Sequence, residues 1–374
     1  MSDGAAPRSG RARSRGARTG IVLGAGGILG SAWMIGALTA YEQVRGADAR
    51  KADVLIGTSA GSVLAALLSL GVDVETMADS EVGRLREDGL VLDYAKLGSS
   101  LPPRPRLRIG SRRLLVVSAR HPRQVAPLVA LVSLLPQGRG TLSALGDLVE
   151  AAGRPRSAAA ERLDATRVDS APEALVGAGM LGEAVGEEVL TAVSWPDAPT
   201  LGVVAMDYDT GERVVFGTAG APEANLAEAV MASCAIPGWF SPMTIADHRY
   251  VDGGTCSPAS LDVLIDPEAG LGEVDELVVF APACSFEYDH PHGPVARIER
   301  HLRRMATRRL EREIDAARAA GIDVTVLCPG PEDLVAIGGN VMDTSRREQV
   351  FTTSRRTSEA AFASSARGGL AVAG

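Results

Sequence analysis

The chain has 374 residues, of which 46% are hydrophobic, 22% charged and 4% aromatic, with a formal net charge of −8. That balance describes a globular chain with room for one large α/β domain or two modest ones. The acidic balance and the scarcity of aromatic rings argue against nucleic acid as a partner. Cys234, Cys256, Cys284 and Cys328 are widely spaced and match no zinc or redox pattern, so reduced core thiols and a cytoplasmic setting are expected.

Residues 1–18 carry five arginines among Gly, Ala and Ser, and are expected to form a disordered basic tail. Ile21 to Ala40 then contains no charge and imitates a signal peptide or membrane span. Gly24, Gly26, Gly27 and Gly30 crowd its first half, so it reads instead as a strand (Ile21–Leu23), a glycine loop and a buried helix from Trp33 to Tyr41. Such a loop has three uses. It could cradle a dinucleotide, although the spacing is imperfect and no acidic residue ends a second strand about twenty residues on. It could be a plain tight turn. It could also be an oxyanion hole, with the N–H groups of Gly26, Gly27 and Ile28 aimed at a developing negative charge.

Val54 to Ile56 is a short uncharged run that reads as a buried strand, and Ser62 to Leu70 has Ala and Leu at helical density. Gly57-Thr58-Ser59-Ala60-Gly61 lies between them with no room for a loop. A strand that becomes a helix within so few residues must turn sharply, and Gly57 and Gly61 remove the β-carbons that would collide. A G-x-S-x-G pattern arises easily by chance in a chain rich in Gly and Ser. The flanking strand and helix are the context of a nucleophile elbow, with Ser59 as nucleophile. In a right-handed β-α-β unit the two strands are neighbours, so the glycine loop and Ser59 open on one sheet edge.

Asp73 to Leu92 reads as a helix with one polar face. Leu114 to Leu135 is largely aliphatic, broken by prolines, and suits a cap over the site, an interfacial surface for lipid or ordinary packing helices. His121, beside Pro122 and two arginines, reads as a solvated turn. A helix is expected over Gly140 to Ala152, capped by Thr141 or Ser143, then a mobile loop over Gly153 to Ala171. Thr200–Met206 and Arg213–Gly217 form a hairpin, Pro222 to Ser233 a helix, and His248–Val251 a strand that delivers Asp252-Gly253-Gly254. An Asp followed by two glycines is often only a turn; at a strand end the glycines also let its carboxylate approach another loop. Leu277–Phe280 (strand), Val295–Ala320 (Arg-rich helix), Ile322–Cys328 (strand) and Ser345–Ser365 (helix) follow. This alternation implies an α/β fold with a mainly parallel sheet and helices on both faces.

These residues resemble the patatin-like phospholipases, serine lipid acyl hydrolases. The resemblance rests on Gly24-Ala-Gly-Gly-Ile-Leu-Gly30, Gly57-Thr-Ser-Ala-Gly61, Ala232-Ser-Cys-Ala-Ile-Pro237 with Phe240 and Pro242, and Asp252-Gly-Gly254, in that order. It covers Thr19–Leu70 and Leu201–Asp266 well and the middle hardly at all. It implies a three-layer α/β/α sandwich with a Ser–Asp dyad: Ser59 as nucleophile, Asp252 as its partner, and Gly26, Gly27 and Ile28 as oxyanion donors. Gly24, Gly30, Gly57, Gly61, Gly253 and Gly254 would support the loops. The sequence departs from the family at Leu29, where many members carry Arg or Lys, and at Thr255–Ser260, where many have an Asn and a Pro. The expected organisation is a tail over 1–18, one catalytic domain over 19–366 with a helical insertion or cap over 73–199, and a flexible tail over 367–374.

A conventional triad needs a late histidine, and His290, His292 and His301 are the candidates. Without one, Asp252 acts as the base directly, which works better if burial raises its pKa. No metal ligand set or cofactor motif is present. The expected activity is hydrolysis of fatty-acyl esters of (phospho)lipids; the alternative is a nucleotide-binding α/β module using the Gly24–Gly30 loop. Peripheral membrane contact is expected from Leu114–Leu135, whereas the Arg-rich helix reads as a solvated face with pairs such as Glu299–Arg303.

Overall fold

Uncharged aliphatic runs become the central strands, and the Ala- and Leu-rich segments between them become the helices that cover them. A computed structural model describes residues 16–84, 110–121, 125–154, 193–291, 293–365 and 372–373. The expectations for residues 1–15, the second half of the Asp73–Leu92 helix, most of the Gly153–Ala171 loop, His292 and most of the C-terminal tail lie outside these residues.

The elements are β1 (Thr19–Leu23), α1 (Gly27–Arg45), β2 (Val54–Thr58), α2 (Ala60–Ser69), α3 (Val74–Glu81), α4 (Arg112–Arg120), α5 (Pro127–Val132) and α6 (Ser143–Gly153). Then come β3 (Thr200–Asp207), β4 (Arg213–Phe216), α7 (Leu226–Ser233), β5 (Met243–Ile245), β6 (His248–Asp252) and β7 (Glu276–Phe280). The last are α8 (Pro294–Ala319), β8 (Asp323–Leu327), α9 (Pro331–Ile337), α10 (Arg347–Ser365) and β9 (Val372–Ala373). The sheet runs β5-β6-β3-β2-β1-β7-β8-β9, with β4 added to β3. Pairings along β3-β2-β1-β7-β8-β9 are parallel, β4 and β6 run antiparallel to β3, and β5 runs antiparallel to β6.

Alternate strand residues face opposite cores. Leu23, Leu55, Val203 and Phe280 pack with α1, α2, α6, α7 and α10 on one face. Val22, Ile56, Val204 and Val279 pack with Leu310, Ile314 and Ala317 of α8 and with the 3-10 segment Leu261–Ile265 on the other. The result is the expected three-layer α/β/α sandwich with a mainly parallel sheet. Ile21 to Ala40 is β1, a loop and most of α1, and no helix among the described residues is long and apolar enough to cross a membrane.

Several boundaries differ from the sequence reading. α1 begins at Gly27, six residues before Trp33, because the glycine loop is itself the helix start. α7 begins at Leu226: Asn225 and Glu228 form a reciprocal capping box, which leaves Pro222 outside. Neither Thr141 nor Ser143 caps α6, whose cap position is Leu142. The Arg-rich helix is not a solvated face throughout. Arg300 and Arg303 are 1% and 3% exposed and point inward, bonding the carbonyls of Leu334, Gly338, Pro282 and Cys284. The expected Glu299–Arg303 pair is present.

The register of β3 places the site. β4 occupies one side of Val203–Met206, so β2 and β6 share the other side, β2 along Thr200–Val204 and β6 along Ala205–Asp207. β2 arrives with its carboxyl end and β6 descends to meet it, so Thr58 opposes Val204 while Asp252 opposes Ala205. Behind this junction α2 leans onto the end of β1. A β-carbon at Gly61 would lie 1.9 Å from the Leu23 carbonyl oxygen. Gly61→Ala should therefore destabilise the protein by about 3 kcal/mol or more, through backbone displacement in an overpacked site. Urea unfolding checks this, and an unchanged midpoint would refute the close approach.

Candidate active site

Ser59 stands between β2 and α2 with φ 53° and ψ −124°, a left-handed conformation that a non-glycine residue adopts only under tertiary constraint. Three contacts supply that constraint. The Ser59 N–H donates to Ser233 Oγ at 2.8 Å, and Ser233 Oγ donates in turn to the Val204 carbonyl at 2.6 Å. Ser62 Oγ donates to the Ser59 carbonyl at 2.7 Å. The backbone on both sides of the serine is thereby tied to α7, α2 and β3.

Asp252 is the last residue of β6. Its N–H bonds the Ala235 carbonyl at 3.0 Å, and the Gly254 N–H donates to its Oδ1 at 2.7 Å. Both residues are buried, Ser59 at 4% and Asp252 at 5% exposure, and do not stand on apices outside the core. Burial lifts the Asp252 carboxyl from 3.8 to about 6, opposed by hydrogen bonds from the Ser59 hydroxyl and the Gly254 N–H. The serine hydroxyl therefore faces a carboxylate poised near neutrality.

The glycine loop runs beside the turns that carry this pair, its Gly24 and Ala25 against Gly61 and Gly254. Gly24 N–H bonds the Phe280 carbonyl and Ala25 N–H the Pro258 carbonyl, each at 2.8 Å, and Leu29 N–H bonds the Val341 carbonyl at 2.9 Å. Gly30 N–H makes the first helical bond, to Gly26. Between these anchors the N–H groups of Gly26, Gly27 and Ile28 have no backbone acceptor among the described residues. They form the positive first turn of α1. Gly27 has φ 64°, and a β-carbon there would press within 3.0 Å of Val341 and 3.2 Å of Met342. A bulky residue at Gly27 would thus disturb the backbone as well as the donors. Gly254 sits against Ala25, Gly57 against the first turn of α2, and Gly61 against the carbonyls of Leu23 and Gly24, so the loops of β1, β2 and β6 converge at one edge. A hydroxyl, a base and free N–H donors within one buried junction suit acyl transfer.

The two sequence departures have local explanations. Leu29 is fully buried within the hydrophobic cluster on the α1 face of the sheet. In place of the Asn and Pro, Ser257 Oγ donates to Glu313 at 2.6 Å and accepts from the N–H groups of Ala259 and Ser260. This fixes the turn whose Pro258 carbonyl holds Ala25. His290 and His301 are exposed and make no hydrogen bond to Ser59 or Asp252. None of the four cysteines is paired, and burial pushes their thiols up.

Residues 21–265 match the family described as patatin-like phospholipase. The chain belongs to that family. It is a family of lipase-type hydrolases. Among solved structures the chain is similar to the type III effector protein ExoU, with 18% identity over 93% of this chain and 53% of that one, at a TM-score of 0.37. It is similar also to VipD from Legionella pneumophila, with 18% identity over 90% and 67% of the two chains and a TM-score of 0.36. Full-length ExoU of Pseudomonas aeruginosa in complex with SpcU matches at 17% identity over 95% and 65%, with a TM-score of 0.31. The chain spans about half the length of the first ExoU chain. No curated protein matches it.

Sequence reasoning missed Ser233. It lies inside the Ala232–Pro237 stretch that carried part of the patatin-like resemblance, but a serine at a helix end has no signature of its own. Two expectations follow from the site. Ser233→Ala leaves the buried Ser59 N–H without a partner and should cost about 1–3 kcal/mol in urea unfolding; no loss would remove Ser233 from the support of the turn. For Asp252, the folded pKa lies above the unfolded one, so this group's stabilisation is present below about pH 4 and lost as pH rises through about 6. Asp252→Asn should therefore raise the melting temperature at about pH 8 and leave it nearly unchanged at about pH 4. Calorimetry at both pH values checks the sign.

Proposed function

We propose that the protein is a serine acyl-ester hydrolase that cleaves fatty-acyl esters of lipids through an acyl-enzyme on Ser59. The observation that carries this is the Ser59 hydroxyl bonded to a buried Asp252 carboxylate raised to about 6, beside a glycine loop with three N–H groups without backbone acceptors. Asp252 takes the hydroxyl proton as Ser59 Oγ attacks the acyl carbon. The N–H groups of Gly26, Gly27 and Ile28 stabilise the resulting oxyanion, a contribution of roughly 3–4 kcal/mol per donor in comparable enzymes. Collapse of the tetrahedral species breaks the ester bond, and Asp252 returns the proton to the leaving alkoxide. Asp252 then takes a proton from water, whose hydroxide attacks the acyl-enzyme, and the proton passes back to Ser59 as the fatty acid departs.

Within the span 73–199, α4 and α5 serve as a cap. α4 and α5 pack through Leu114, Val129 and Val132 onto Met206, Tyr208 and Val251, beside the turn that follows Asp252. Their apolar side chains offer a surface for acyl chains next to the nucleophile. A nucleotide-binding role for the Gly24–Gly30 loop is disfavoured by the same geometry: the Asp252 carboxylate would repel a phosphate held by those N–H groups.

A fluorophosphonate probe tests the reading. Wild type should be labelled at Ser59 and Ser59→Ala should not. Labelling and ester hydrolysis should fall about tenfold per pH unit below about 6, as Asp252 takes up its proton. Asp252→Asn should lose at least about a hundredfold in rate. Labelling that survives Ser59→Ala, or a rate that ignores Asp252→Asn, would overturn the dyad.

A further inference from the structure

α8 runs antiparallel to β7 and β8. Its C-terminus leads into β8 beside Glu276, at the amino edge of the sheet, so its N-terminal half lies at the carboxyl edge with Ser59 and the glycine loop. Val295, Ile298, Leu302 and Met305 are 64%, 63%, 51% and 42% exposed. Spacings of three, four and three put them on one face of the helix. The farther half of α8 shows no such stripe, since Leu310, Ile314 and Ala317 are buried.

Arg297, His301, Arg304 and Arg308 form a second exposed row alongside the apolar one. The acid within this half, Glu299, is engaged by the inward-turned Arg300 and Arg303. Arg297, Arg304 and Arg308 form no ion pair with the described residues, and Arg304 lies over the Tyr288 ring at 4.7 Å. The opposite flank of the site repeats the composition. Leu115, Val116, Leu131, Leu134 and Leu135 are exposed on and after α4 and α5, and Gly110 to Gly140 contains arginines but no acidic residue. With Val335 of α9, these two flanks hold every exposed large hydrophobic side chain among the described residues. In a chain of net charge −8, the exposed large hydrophobic side chains of the described residues are gathered, with arginines beside them, on the flanks of the edge where Ser59 lies.

We propose that the exposed apolar stripe of α8 and its arginine row dock the protein on the surface of an anionic phospholipid bilayer, with the Ser59 edge toward the lipid. Apolar side chains beside an arginine row are what the acyl boundary and anionic head groups together accept. Their arrangement on two flanks of one buried junction fits a plane that both flanks meet, more than a protein partner seated on one patch. This deepens the acyl-ester reading, and it departs from the expectation that α8 is only solvated.

The test uses the full chain with Ser59→Ala, so that vesicles stay intact, in sedimentation with phosphatidylcholine vesicles containing or lacking about one third phosphatidylglycerol. Binding to the anionic vesicles is expected to exceed binding to the neutral ones by at least about tenfold and to weaken with salt. Ile298→Asp with Leu302→Asp should weaken binding to both compositions more than about tenfold. Arg297→Glu, Arg304→Glu and Arg308→Glu together should weaken only the anionic binding, by about a hundredfold. The altered side chains are largely exposed, so unchanged melting temperatures confirm the folds. Absence of binding, or variants that bind as the parent does, would overturn the proposal. So would a dimer that Ile298→Asp dissociates in sedimentation velocity, because the stripe would then belong to a second copy. Vesicle binding without fluorophosphonate labelling of wild type would sustain docking and reject the hydrolase reading; labelling without binding would do the reverse.

Discussion

Everything at the candidate site depends on β3 serving two strands on one side. β2 climbs Thr200 to Val204 and β6 descends to Ala205, so the chain ends at Ser59 and Asp252 meet at adjacent rungs of the same ladder. Backbone hydrogen bonds, and not flexible loops, set their separation. The Val204 carbonyl sits at the junction and takes the Ser233 hydroxyl that in turn holds the Ser59 N–H. A positive φ at Ser59 persists because these bonds and the crowding of Gly61 on Leu23 leave no relaxed alternative.

The same burial that positions the pair perturbs its chemistry. An ionised carboxylate at the foot of an antiparallel strand, with one N–H and one hydroxyl for company, is held at a cost of roughly 3 kcal/mol at neutral pH. In the proposed mechanism, that cost is what makes the carboxylate basic enough to take a serine proton. Stability and basicity are thus opposed at Asp252, while stability and geometry are aligned at Ser233 and Ser59.

Much of this was legible in the sequence. The Ser59 turn is bounded by a strand pattern and a helix pattern, and the Asp252 turn follows a strand, so both could be placed from local signals and from the family resemblance. What could not be placed depends on distant backbone. Arg300 and Arg303 look like surface charges on a helical wheel, because the carbonyls that draw them inward belong to the loop after β7 and to the C-terminal end of α9 and carry no signature. The exposed stripe of α8 was hidden for the same reason: once two arginines turn inward, Val295, Ile298, Leu302 and Met305 are left outward. Asn225 and Glu228 did carry a capping signal, and Pro222 masked it. β5 has only three residues, and its turn to β6 lacks the glycine that marks such hairpins.

That turn, Ala246–Asp247, has both residues at positive φ, 48° and 64°, although neither is glycine. It lies at the far end of β6 from Asp252, beyond the rungs shared with β3. Lengthening or shortening it therefore moves β5 without changing how β6 is registered. An insertion within Arg249–Val251 is different, because a shift of one residue would turn the carboxylate to the opposite face of the sheet. The hairpin is in effect a handle on a ruler: its grip can be recut over generations of sequence change, but the graduations between Tyr250 and Asp252 cannot.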